Sequence, residues 1–114
     1  MTDAKNQLTV YQEFTRNTAV YPKDQELTYL MLGLISEVGE IADKLKKHIR
    51  DSPEADMTDE QINAISKEMG DVLWYLARLA DHFELSLEDV MLGNIAKLTK
   101  RLASDKIRGS GDDR

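Results

Sequence analysis

The stretch LTYLMLGLISEVGEIADKLKKHIR, residues 27–50, decides the fold. Its apolar residues, among them Leu27, Leu30, Leu34, Val38, Ile41 and Leu45, recur at the spacing of a long amphipathic helix. At about 100° per residue they gather into one stripe. Glu37 and Glu40 stand at the edge of that stripe, with Gly33 below and Lys44 above. Three residues apart on a helix, the two carboxylates project the same way. A second pair, Glu68 and Asp71, lies in another apolar segment, SKEMGDVLWYLARLADHF at 66–83. Two such pairs on two packable helices point to one shared oxygen-ligand site.

The rest of the chain reads outward from these two segments. Residues 4–17 form a first helix, with Leu8, Tyr11 and Phe14 on one face. TAVYPKDQE, 18–26, is a connection, because Pro22 steers Tyr21 away from helical geometry. RDSPEADM, 50–57, has the composition of an exposed loop. Thr58 with Gln61 makes a capping box for a third helix running to 83 or 84. Ser86 and Asp89 mark the cap of a fourth, which extends to 103. The tail from about residue 104, SDKIRGSGDDR, has no apolar period and is expected to be irregular. No segment alternates like a half-buried strand. The expected architecture is all-α, a four-helix bundle-like single domain over residues 1–114.

Composition narrows the function. The 114 residues contain no cysteine, which excludes disulfides, zinc–thiolate centres and thiol nucleophiles. The net charge of −6 argues against a polymeric nucleic acid as partner. No run reaches the roughly 18 apolar residues of a membrane span, and the N-terminus lacks the pattern of a signal peptide, so a cytoplasmic, soluble chain is expected. The third helix is apolar over more than half its circumference. A chain this short cannot cover both sides of it, so a second subunit is expected, as a homodimer or homotetramer.

With 21 acids in the chain, an acidic pair on a helix is commonly a solvated face. Three features favour a site. The pair is repeated, each copy is flanked by apolar residues, and each holds a glycine, Gly39 in EVGE and Gly70 in EMGD. A glycine inside a helix costs about 1 kcal/mol relative to alanine, so close helix approach or room for a ligand is expected at both. Four clustered carboxylates repel one another unless cations or protons intervene. Di-iron bundles use Glu-x-x-His, whereas His48 and His82 stand at other spacings and read as surface residues. An all-carboxylate set is hard and suits Mg²⁺, with Mn²⁺ as a substitute. Mg²⁺ characteristically shares phosphate oxygens, which directs the chemistry to phosphates.

GLISEVGEIADKLKK followed by KEMGDVLWYLARLA resembles the ExxE…ExxD signature of the all-α nucleoside triphosphate pyrophosphohydrolases, the MazG-like proteins. The ending RGSGDDR resembles the tail of short MazG-like proteins of bacteria and their viruses. The resemblance implies Mg²⁺-dependent hydrolysis of a nucleoside or deoxynucleoside triphosphate to the monophosphate and pyrophosphate. Glu37, Glu40, Glu68 and Asp71 match the family's metal ligands. Lys44 and Lys47 are placed to neutralise phosphate charge, and Asn94, Lys97 and Arg101 match a fourth-helix N-x-x-K pattern near phosphate or base. Tyr75 matches an aromatic position beside the nucleotide, while Trp74 reads as core or interface. Arg108 and Arg114 of the tail are candidates for closing over the phosphates. Spacing does not identify a general base, for which Glu40 is the candidate. The alternative is a non-catalytic helical dimerisation or interaction module with solvated acids.

Overall fold

The computed structural model describes residues 5–104, 107–109 and 111–112. Among them are four α-helices and no strand, as the periodicity requires. α1 spans Gln7–Thr15, α2 Glu26–Asp51, α3 Asp59–His82 and α4 Leu87–Ala103. α1 is shorter than the 4–17 expected. The Asn6 side chain caps it by accepting from the Leu8 amide, and a 3₁₀ turn at Arg16–Thr18 ends it. Thr58 and Gln61 form the reciprocal capping box at the start of α3, and the Ser86 hydroxyl accepts from the Asp89 amide at the start of α4.

α2 and α3 form an antiparallel hairpin. Glu26 meets His82 at one end, Gly33 meets Tyr75 further along, and Lys44 meets Glu68 beyond them. α3 stops at His82 because the chain turns left-handed at Glu84, φ 57°. The Leu85 amide donates back to the Ala80 carbonyl, and Glu84 to Asp81, as in a Schellman cap with glutamate in glycine's usual place. α1 crosses α3, where Leu8 and Tyr11 pack against Ala77, Ala80 and Leu87. α4 packs on α1 and the end of α3, and among the described residues it has no hydrogen bond or ion pair to α2.

The core is small. Leu30 is fully buried, whereas Leu32, Ile35, Val38, Met69 and Ile95 are exposed. Trp74, expected as core or interface, is half-buried, and its indole N–H donates to the Thr18 hydroxyl.

At the two motif glycines the structure removes close helix approach and leaves open space. A methyl group at Gly39 or Gly70 would meet nothing within 4 Å, so within the chain neither marks a close helix approach. Gly33 does, because a Cβ there would run into the ring and hydroxyl of Tyr75. Gly33→Ala should therefore destabilise by about 1–3 kcal/mol through overpacking. Gly39→Ala and Gly70→Ala should be neutral or stabilising by up to about 1 kcal/mol. Urea unfolding of the three variants checks this, and equal effects at all three sites would refute it.

Candidate active site

The hairpin brings acids from two helices together. Ligand oxygens of Glu37, Glu68 and Asp71 all lie within 4.8 Å of one another. Helical spacing accounts for this: Glu68 and Asp71 share a face of α3, and Glu37 projects from α2 one turn beyond Gly33. Glu40 stays outside the trio. Its side chain is 53% exposed, against 20% for Glu68, and it pairs with Lys44 at 4.0 Å.

The trio is electrostatically crowded. Glu37 shares a hydrogen bond with Glu68, and that bond, with burial and the nearby Asp71, Glu68 and Glu40 charges, pushes its carboxyl up to about 7. The same hydrogen bond, helped by Lys44, holds Glu68 below its ordinary value. Two carboxylates sharing one proton mark a place where positive charge is wanted. The donors are all hard oxygens, which fits Mg²⁺ or Mn²⁺.

Aromatic residues wall one side. The Tyr75 phenol lies over Gly33 and packs edge-to-face on Trp74, with ring centroids 4.9 Å apart. Burial, then Tyr29 and Glu37, push its phenol up. Tyr29 stacks on Tyr21, with ring centroids 5.0 Å apart. Sequence reasoning passed over Tyr29, two turns before Glu37 on α2. Its i, i+8 spacing was the available signal.

On the opposite side, a cavity of about 240 Å³ opens between α2 and α3, lined by Lys44, Lys47, His48, Ser52 and Gln61 among others. Lys47 is held at 2.6 Å by Asp43. His48, expected as a surface residue, is half-buried and engaged. Its Nε2 lies 2.8 Å from the Ala55 carbonyl and pins the 52–57 loop to α2. His82 is likewise half-buried, with Nδ1 2.7 Å from Glu26. A larger groove of about 590 Å³ lies away from the acids. Its Arg16 and Arg78 are both bound to Asp81.

The α4 residues form a separate cluster. Lys97 and Arg101 both contact Asp112 at 3.1 Å, and Arg101 also donates to the Gly111 carbonyl. Gly111 and Asp112 of the tail thus lie against α4. Asn94 and Arg108 are exposed, and Arg114 lies outside the described residues. Among the described residues, no hydrogen bond or ion pair joins Asn94, Lys97, Arg101 or Arg108 to the four acids.

Comparison with known proteins converges on the same segment. The family model described as MazG nucleotide pyrophosphohydrolase domain matches residues 25–104, which hold all four acids. The Gene 37 protein of Mycobacterium phage L5 is 39% identical over 111 residues, covering 92% of this chain and 96% of that protein. The uncharacterized protein YvdC of Bacillus subtilis (strain 168) is 42% identical over 72 residues, 60% of this chain and 68% of its own length. No solved structure matches the chain.

Proposed function

Since the chain belongs to the MazG nucleotide pyrophosphohydrolase domain family, we propose that it hydrolyses a nucleoside or deoxynucleoside triphosphate to the monophosphate and pyrophosphate, with Mg²⁺ held by Glu37, Glu68 and Asp71. The observation that carries this reading is the convergence of those three carboxylates from two helices. When bound, Mg²⁺ supplies charge stabilisation at the phosphate oxygens and acidifies water. The chain's own residues do the rest. Lys44 and Lys47, at the mouth of the adjoining cavity, meet phosphate charge. Tyr75 and Tyr29 offer aromatic faces for the base. Glu40, exposed and outside the trio, is free to accept a proton from the attacking water as general base. Lys97 and Arg101, which pair with Asp112 in a cluster separate from the acids, are further cations for the leaving pyrophosphate, with Arg108 and Arg114 of the tail as candidates beside them. Release of pyrophosphate from a panel of nucleoside triphosphates, with Mg²⁺ and with chelator, tests the reading. No metal-dependent release from any of them would overturn it.

Assembly is part of the same proposal. The chain exposes 8710 Å², whereas a compact monomer of its mass should expose about 6,300 Å². Its radius of gyration is 17.7 Å, against about 13 Å for a compact domain of this length. Leu73, Leu76, Ile95 and Leu98 are among the large apolar residues left open on α3 and α4. Those faces need cover, and a second copy of the chain supplies it as a homodimer or homotetramer. Sedimentation at micromolar concentration should give at least twice the 13.0 kDa chain mass. A folded monomer under those conditions would remove this part of the proposal. Among the described residues, no helix is long and apolar enough to cross a membrane.

A further inference from the structure

Three lysines follow Glu40 within two turns of α2, and their partners separate them. Lys46 and Lys47 both go to Asp43, at 3.3 and 2.6 Å. Lys44 alone turns to the acids, 3.5 Å from Glu68 and 4.0 Å from Glu40. Among the described residues it is the one cation within ion-pair distance of any of the four carboxylates. Both separations are long for a charge-assisted contact, which closes to about 2.8 Å when tight. The ammonium is thus loosely held, on a flexible four-carbon stem. The same side chain also lines the 240 Å³ cavity beside Lys47. One residue therefore borders both the acid cluster and the space next to it.

We propose that Lys44 is a displaceable counter-cation of the acid cluster: it offsets carboxylate repulsion in the metal-free protein, competes with the divalent cation for Glu68, and withdraws toward the cavity when that cation binds. This rests on the reading of the cluster as a metal site. An ammonium and a divalent cation repel each other at the same carboxylate oxygens, so the two cannot both occupy them at low cost. Metal alone then binds against the charge of Lys44. An anion entering the cavity draws that charge away and favours the metal, and by linkage the metal favours the anion.

Calorimetric titration of the metal-free full chain with Mn²⁺ alone tests this, beside thermal unfolding in chelator. Lys44→Met should bind Mn²⁺ about tenfold more tightly or better, as for a charge removed within about 4–6 Å. Its metal-free melting temperature should fall. Lys47→Met removes the same charge from the same helix and should stay within about twofold of wild type in Mn²⁺ affinity. Lys44→Arg keeps the charge and should behave like wild type. If Lys44→Met does not fold, Lys44→Gln serves for the same comparison. Unchanged or weaker Mn²⁺ binding without Lys44 overturns the proposal, and so does an equal gain in Lys47→Met. Failure of the wild type to bind Mn²⁺ saturably would instead remove the metal site itself, and the proposal with it.

Discussion

Replacing Glu37 with glutamine should lower Mg²⁺-dependent pyrophosphate release roughly a hundredfold or more, while the metal-free protein stays as stable or becomes more so. Glutamine keeps the shape of the protonated acid and its capacity to donate a hydrogen bond to Glu68, but removes a ligand charge. The pH dependence adds a sharper test. Folding raises the Glu37 carboxyl from its ordinary 4.5 to about 7, so between those values the folded chain holds a proton that the unfolded chain has lost. Stability therefore declines as pH rises from about 4.5 to 7, and the loss is complete above 7. The melting temperature of metal-free wild type should drop across that window, and the drop should be smaller in Glu37→Gln. Metal must displace the same proton, so apparent Mg²⁺ affinity should rise as pH passes through 7.

Glu68→Gln and Asp71→Asn should show the same pairing of lost turnover with retained metal-free stability. Glu40→Gln belongs with them as the test of the general base. If the acids were structural ion-pair partners instead, the variants would lose stability and activity would decline only in proportion to unfolding. Wild-type turnover in all four variants would overturn the site assignment.

How far this site is legible in the sequence depends on what carries each part. The helices follow from apolar period and caps, both local properties, so Thr58 with Gln61 and Ser86 with Asp89 place α3 and α4 within a residue or two. The convergence of Glu37, Glu68 and Asp71 is legible because a short loop forces α2 and α3 to be antiparallel neighbours. Of the two readings of Gly39 and Gly70, close helix approach fails and open space beside the backbone stands, because helical spacing fixes a face but not what lies opposite it. Gly33, without an acidic motif around it, is the position the Tyr75 ring requires. The histidines miss for a similar reason. His82 meets Glu26 across 56 residues, a pairing that only the hairpin register sets. The tail is the most distant from prediction: no periodicity says that Asp112 returns to Lys97 and Arg101.

The largest stability effect should come from Asp81, which carries none of the proposed chemistry. Its carboxylate accepts from Arg16 at 2.8 and 3.0 Å, from Arg78 at 2.6 Å and from Gln12 at 2.8 Å. Gln12 in turn donates to the Leu85 carbonyl and accepts from the Leu87 amide, while Arg78 donates to Tyr21, whose hydroxyl donates to Glu26. One acid thus ties α1, α3, the entry to α4 and, through Tyr21, the start of α2. Arg78 has a side chain only 6% exposed, so removing its partner strands a buried guanidinium. Asp81→Ala should cost about 3–5 kcal/mol in urea unfolding, the scale of a broken buried pair. The hydrogen bond from Arg16, with those from Arg78 and Gln12, holds the Asp81 carboxyl down from its ordinary 3.8 to about 2. A depressed acid stabilises the fold fully above its unfolded value and loses that effect as pH falls toward its folded one. A shift of this size corresponds to about 2 kcal/mol, lost between roughly pH 4 and pH 2. Wild type should therefore lose stability across that acid window, and Asp81→Asn should start lower but lose less. If Asp81→Asn matched wild type at neutral pH and followed the same acid curve, the network would not hold these helices together.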